Sequence, residues 1–408
     1  MKVLRVRQGL VSRPLADIGG EVRRRLDALQ LAVPRGPVAV TAGSRGLANA
    51  PAILRAAGEW LRARGAQPFL APCMGSHGGA TAEGQRAVLA ALGVTEAATG
   101  MEIRSSMETV RLGAVSAGDV FMDRLCYEAA GVLVVNRVKL HTAFAGPVQS
   151  GLLKMMVVGM GKIDSARTFH NAPHAEMADM LREMSGMVLA SGKILAGLAV
   201  LEDGLEQTAE IHAARPAEIP ALEARLLRRY RRWFPRLPVD RLNVLIVDEI
   251  GKTYSGTGMD TNVIGYRGIK NYEDLRRPAI RIIAALGLAP ASGGNAIGVG
   301  LADFITRRLR DAIDERQTLV NALTTGEMIR AKIPATLADD QELVETLERR
   351  YGGRRWAFIA NTLRLETLYV SEDLADEVRV RPRCAVEDEP VEVGFKNRRL
   401  QLFADGVA

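Results

Sequence analysis

Three features of the 408-residue chain predict an α/β fold of two domains, an N-terminal doubly wound, mostly parallel sheet and a smaller α/β C-terminal domain. Strand-like and helix-like segments alternate through the first half. One strand candidate, GVLVVNRV (131–138), is almost continuously apolar, the pattern of a parallel strand covered on both faces. A basic stretch ending in two prolines, ALEARLLRRYRRWFPRLP (221–238), then interrupts the alternation before a new strand candidate, LNVLIVDEI (242–250). This places a boundary near residue 240. The domains expected are 1–240 and 241–408, the second closing over a site in the cleft between them.

The elements of the first half follow in order. PVAVTA (37–42) is a short β-rich run, and APAILRAAGEWLRARG (50–65) has helical periodicity ending in Gly. QPFLAPC (67–73) is the next strand candidate and TAEGQRAVLAALG (81–93) the next helix. After 131–138 come a helix over 174–192, closed by Gly, and the strand KILAGLAVLED (193–203). Strand–helix–strand repetition of this kind builds a sheet with helices on both faces. No internal repeat or low-complexity segment occurs.

Composition narrows the function classes. Hydrophobic content of 48% and charged content of 25% are ordinary for a soluble globular chain. No apolar stretch approaches the roughly 18 residues of a membrane span. The opening MKVLRVRQGLVSRPLADIGG is punctuated by charge where a signal peptide needs an unbroken apolar region. Cys73, Cys126 and Cys384 form no CxxC pair, so a cytoplasmic protein without a disulfide framework is expected. The net charge of +7 and pI near 9.5 could suggest nucleic acid. The arginines are scattered along helix-like segments and aromatics are only 5%, so we read solvated faces and expect neither a nucleic-acid nor a membrane partner. A basic balance also suits anionic small-molecule ligands.

Reactive residues concentrate in the first half. All five histidines, His77, His141, His170, His174 and His212, precede residue 213. GSRG (43–46) follows the first of the βαβ strands, GSHGG (75–79) the second, and NRVKLH (136–141) ends the third. Ligands of open α/β sheets bind at the carboxyl ends of the strands. Those loops would therefore bring Arg45, His77, Arg137, Lys139 and His141 together, with glycines that let backbone amides approach an anion. Each residue also has a structural alternative: Arg45 as a helix cap, His141 as a turn residue, Lys154 as an amine snorkelling from a strand end. His170 and His174 form HxxxH, but Pro173 argues against one helix carrying both as zinc ligands. His174 reads as the start of the next helix and His212 as structural. Lys154 stands out within SGLLKMMVVGMG, because an amine in an apolar run is disfavoured in its charged form.

Taken together, these segments resemble the nickel-pincer-nucleotide lactate racemase family and its wider set of hydroxyacid racemases and epimerases. GSRG, with Ser44, Arg45 and Gly46, resembles the family's phosphate- and substrate-facing loop. GSHGGATAEGQ and KLHTAFAG resemble the loops carrying its two catalytic histidines, here His77 and His141. SGLLKMM resembles the segment whose lysine, here Lys154, holds the cofactor covalently, and TFHN the one whose histidine, here His170, ligates nickel. GMDTNVIGYRG and RRWAFIANTL resemble segments that close over cofactor and substrate, which points to Trp356 for the cofactor and to Tyr266 and Arg267, with Arg45 and Lys139, for the substrate.

The resemblance implies a racemase or epimerase of a 2-hydroxy acid. Its cofactor is pyridinium-3,5-bisthiocarboxylic acid mononucleotide nickel, joined to lysine as a thioamide, and its makers would be transient partners. Hydride leaves the substrate carbon and returns on the other face while His77 and His141 handle the hydroxyl proton, and Arg45 grips the carboxylate. The chain departs from the lactate-racemizing pattern where Ile264-Gly265 replace a Tyr-Gln pair and Arg267 a lysine. These changes suggest a roomier pocket and an acid larger or more polar than lactate. Two other readings of the same residues are a zinc hydrolase using His77, His141 and His170, and a non-catalytic nucleotide-binding protein.

Overall fold

A computed structural model describes residues 1–116 and 118–403. The chain divides into two compact units, Val11–Phe234 and a second made of Met1–Leu10 with the chain from Pro235 onward. The expected boundary near 240 thus falls at 235, and the expected 1–240 domain loses its first ten residues. The reason is pairing. Strand β1 (Lys2–Gln8) runs antiparallel to Thr367–Ser371, with Val3 opposite Ser371 and Arg7 opposite Thr367. Val3 and Val6 are wholly buried by that pairing.

The Val11–Phe234 unit is built on a six-stranded sheet. Its strands are β2 (Gly36–Ala42), β3 (Ala66–Pro72) and β4 (Glu102–Ile103), then, past a hairpin of β5 (Thr109–Val115) and β6 (Gly118–Asp123), β7 (Gly131–Arg137), β8 (Ile194–Glu202) and β9 (Thr208–Ala214). The spatial order is β4-β3-β2-β7-β8-β9, parallel throughout except for the edge strand β9. From β2 the chain winds outward one way through β3 and β4, and from β7 the other way through β8. The order therefore reverses between β2 and β7, which is where open α/β sheets open a crevice at their carboxyl ends.

Apolar patterning explains the layers. Val38, Val40, Leu70, Leu133 and Leu198 from the strands pack with Ile53, Ala57, Trp60 and Leu61 of the helix Ala50–Arg62, all but Trp60 wholly buried. That helix places its apolar residues at helical spacing on the face that meets the sheet. The helix Ala82–Ala91 is opened by Thr81, whose hydroxyl accepts the Gly84 N–H at 3.0 Å. The basic stretch forms the helix Ile219–Trp233, burying Leu222, Leu226 and Leu227 and leaving its arginines to solvent.

The other unit carries β10 (Arg241–Ile250), β11 (Ala279–Leu288), β12 (Phe304–Thr306), β13 (Ala335–Leu337), β14 (Trp356–Ile359) and β15 (Thr367–Ser371). β10 to β14 run parallel in the order β13-β12-β11-β10-β14, and β15 and β1 add antiparallel strands beside β14. Both units are thus mixed α/β, the first sheet parallel but for its edge strand and the second parallel from β10 to β14 with antiparallel pairing beyond β14. Among the described residues, no helix is long and apolar enough to cross a membrane.

Candidate active site

The loops that leave β2 and β7 flank the switch point, and the loop after β3 lies beside them. Glu202, at the end of β8, ties the first two together. Its carboxylate accepts the Ala48 N–H at 2.8 Å and pairs with the Arg137 guanidinium. Arg137 is thereby spent on structure, whereas Arg45 forms no ion pair among the described residues. The Arg45 side chain reaches solvent, yet burial lowers its pKa and nearby Arg137 lowers it further. An anion is the natural relief for such a group.

Lys154 is not at a strand end. It closes a short helical turn, Leu152–Lys154, that continues as a π-helical turn over Met155–Gly159, with Met160 N–H donating to Met155 O at 2.8 Å. Turns of this kind recur at functional sites. The other loops press on it. Gly75 N–H donates to Gly159 O at 3.2 Å, and a side-chain carbon on Gly159 would lie 2.8 Å from Cys73 O. Glycine at 159 therefore lets the His77 loop approach the Lys154 helix, a contact that any side chain would block.

The start of that helix rests on a buried acid. Glu223, from the helix Ile219–Trp233, is wholly buried and accepts the Leu153 N–H at 2.9 Å, with Leu152 N–H adding to it. The carboxyl fills the space beside Gly151, where a side-chain carbon would come within 2.5 Å of Glu223 Cδ. Burial pushes the Glu223 pKa up to about 7, against the lowering effect of the two N–H donors.

At the other end of the turn, Lys154 Nζ lies 2.6 Å from His141 Nε2. His141 Nδ1 accepts the Ala143 N–H at 3.1 Å, so the ring proton of a neutral His141 is on Nε2 and points at the amine. With this tautomer the amine is the acceptor, a role open to an uncharged lysine. Electrostatics agree. Burial, then Arg45 and Lys139, lower the Lys154 pKa to about 7. His141 is itself held by Gln149, whose Oε1 accepts the His141 N–H at 2.7 Å.

His170 ends the helix Lys162–His170 and joins the same group through a line of rings. His141 stacks at 4.4 Å on Phe144, Phe144 meets Phe169 edge-on at 5.9 Å, and Phe169 meets His170 at 5.5 Å. Burial, then Lys154 and His174, lower the His170 pKa to about 4, so its imidazole is neutral and keeps a lone pair for a ligand. The helix stops at His170 and the next begins at Met177, so the two histidines of HxxxH do not share a helix, as Pro173 requires.

His77 sits in the loop after β3, exposed, as the residue that opens the turn Gly78–Ala80. A buried lysine holds this loop. Lys162 Nζ donates to Pro72 O at 2.5 Å and Gln85 Oε1 at 3.0 Å and pairs with Asp123 at 2.9 Å, while Gln85 Nε2 donates to Gly75 O at 2.9 Å. Two hydrogen-bond acceptors and a carboxylate counter-charge make burial of this amine tolerable. Lys162 and Lys154 are eight residues apart and in opposite settings, one among acceptors and one among cations.

Ser44 and Gly46 flank Arg45 in the loop after β2 and are at least partly exposed. In the other unit, Trp356 is wholly buried against Phe358 and donates to Gly352 O at 2.6 Å, which places it in the core rather than on a ligand surface. Gly265 makes no room either. Its φ is +75°, and a side-chain carbon there would lie 2.0 Å from Pro278 O, so the glycine serves a close backbone approach. Tyr266, Ile264 and Gly265 line a cavity of about 710 Å³ within this unit. Arg267 is buried, with Nη1 donating to Glu273 O at 2.7 Å and Nε lacking an acceptor.

Among the described residues, no three or more His, Cys, Asp or Glu side chains come together to hold a metal. The zinc site of three histidines therefore does not form. Two solved structures share the architecture described here. A lactate racemase apoprotein from Thermoanaerobacterium thermosaccharolyticum aligns with a TM-score of 0.56 at 12% identity, over 88% of this chain and 94% of its own. The chain has the fold of that racemase. A structural-genomics protein from Thermotoga maritima aligns with a TM-score of 0.51 at 13% identity, over 68% of this chain and 72% of its own. No protein-family model and no curated protein sequence matches the chain. At such identities the likeness to the racemase establishes fold, and the roles of residues rest on their geometry.

Proposed function

We propose that the chain is an isomerase that racemizes or epimerizes a 2-hydroxy acid, using a nickel-pincer nucleotide carried on Lys154. The observation that carries this reading is the buried Lys154 amine held 2.6 Å from His141 Nε2 beside Arg45 and Lys139, with its pKa lowered to about 7. An amine that is to be acylated must be free of its proton, and burial, then these cations, ease that loss by lowering its pKa. The residues fit the group in a second way. His170 is a lone neutral imidazole, and a nucleotide that brings its own sulfur and carbon ligands needs only one from the protein. Bound there, the group supplies a hydride acceptor for the substrate carbon.

The chain's own side chains do the rest. Arg45 and Lys139 hold the substrate carboxylate, Arg45 by a two-point grip. His141 exchanges a proton with the hydroxyl oxygen through Nε2, since Nδ1 is engaged by Ala143. His77 does the same from the other loop for the opposite enantiomer. Ser44 and Gly46 offer backbone and hydroxyl groups to the nucleotide phosphate. The test is the mass of protein made with and without the cofactor-building enzymes. An adduct of nucleotide size on the peptide containing Lys154, accompanied by nickel, is expected. Active protein with unmodified Lys154 defeats the reading.

A further inference from the structure

Lys154 has a chemistry of its own before any cofactor is attached. Its Nζ faces His141 Nε2 at 2.6 Å, while Ala143 N–H occupies His141 Nδ1 at 3.1 Å. That arrangement leaves a lone pair on the amine and a proton on Nε2. Arg45 and Lys139 stand close enough to lower the Lys154 pKa, and the side chain retains solvent-accessible surface. An uncharged amine beside other cations, with an acid–base group in contact, is the arrangement that makes lysine a nucleophile toward carbonyl carbon. The same cations select what approaches. A carbonyl compound that also bears a carboxylate next to the carbonyl fits both features at once.

We propose that in the chain without cofactor, Lys154 captures 2-oxo acids as an imine, with His141 as the proton shuttle and Arg45 and Lys139 holding the carboxylate. The amine nitrogen attacks C2, and the proton it loses passes by way of His141 to the former carbonyl oxygen. The resulting hydroxyl then takes a proton from His141 Nε2 and leaves as water while the C–N double bond forms, and the nitrogen's remaining proton returns to Nε2, leaving a neutral imine and the starting imidazole. The sum is amine plus ketone giving imine plus water, with no change of oxidation state. Because the capture uses the group that the nucleotide would occupy, 2-oxo acids compete with cofactor loading. The inference stands apart from the cofactor reading, since it requires only the geometry of the free amine.

The experiment uses the full chain made without the cofactor-building enzymes. It is incubated with pyruvate, 2-oxoglutarate or butanone in the presence of cyanoborohydride, which reduces an imine to a stable secondary amine, and its peptides are mapped by mass. The 2-oxo acids should label Lys154 faster than any other lysine and about 10- to 100-fold faster than butanone, the worth of a charge-assisted hydrogen bond to the carboxylate. Arg45→Leu should remove that preference while butanone labelling persists. Added 2-hydroxy acid should protect wild-type Lys154, a check that needs no variant. Labelling of Lys154 at the rate of surface lysines, or equal rates for pyruvate and butanone in the wild-type chain, overturns the proposal. Neither outcome bears on whether a nucleotide is found on Lys154 in protein made with the cofactor pathway, so the two readings fail separately.

Discussion

His141 Nε2 and Lys154 Nζ lie 2.6 Å apart, and the Ala143 N–H on the far ring nitrogen decides which of the two carries the shared proton. A charged lysine in that place would face a donor rather than an acceptor, with Arg45 and Lys139 adding repulsion. Stability should register this. The free lysine titrates near 10.5 and the folded one near 7, so between these values the unfolded chain binds more protons and wild-type stability rises with pH. Lys154→Met removes the penalty. It should stabilise the chain at pH 6 by about 1–2 kcal/mol, allowing for the solvent-accessible part of the side chain, and by little at pH 10. Urea unfolding at the two pH values measures it, and a pH-independent difference would contradict the assignment.

Glu223 makes a prediction of opposite sign. Its folded pKa is about 7 against an ordinary 4.5, so between these values the folded chain binds more protons and wild-type stability falls as pH rises. Glu223→Gln keeps an acceptor for Leu153 N–H and loses that slope, so its stability relative to wild type should improve from pH 5 to pH 7.5. Glu223→Leu loses the same slope but strands buried N–H groups, and should lie about 2–4 kcal/mol below Glu223→Gln at either pH. Equal behaviour of the Gln and Leu variants in thermal melts would remove Glu223 from its place at the start of the Lys154 turn.

The histidines should separate by role in loaded enzyme. His77→Ala and His141→Ala should each lose about 10²–10⁴-fold in racemization rate. A loss of only a few-fold for His77→Ala would take it out of the chemistry. His212→Ala should be mild, because His212 only pairs with Glu210 at 2.9 Å on the edge strand β9. Nickel content offers a readout independent of turnover: His170→Ala should lose the metal and His174→Ala should keep it. The reverse result would move the ligand to His174.

Arg267 is proposed as a substrate contact, because its buried Nε lacks an acceptor that a second carboxylate or a sugar-acid hydroxyl could supply. With a panel of lactate, malate, 2-hydroxyglutarate and aldonic acids, we expect an acid larger or more polar than lactate to have the best kcat/KM. Arg267→Ala should then cost about 1.5–3 kcal/mol with a dicarboxylate and spare a monocarboxylate. A uniform loss across the panel with a lowered Tm would show that the guanidinium serves only Glu273 O and the fold.

Much of this was legible in sequence because it is local. The strands β2, β3, β7 and β8 and the helices between them lie within a few residues of their predicted spans, since periodicity and Gly or Pro punctuation are properties of short stretches. The loops bearing Arg45, His77 and His141 were found by the same logic, as each follows an apolar strand. What sequence could not supply is whatever depends on partners far along the chain. β1 pairs with a strand more than 350 residues away, so its membership of the second unit was invisible. Nothing in the sequence singles out Glu223 or Lys162. Their burial, beside Leu153 N–H in one case and Asp123 and Gln85 in the other, follows from packing across 70 or more residues for Glu223 and for the Gln85 contact. The proton between His141 and Lys154 belongs to the same class. Sequence put a histidine and a lysine thirteen residues apart, and only the turn closed by Gln149 and the helix seated on Glu223 brought their nitrogens into contact, where burial, then neighbouring cations, lower the lysine pKa.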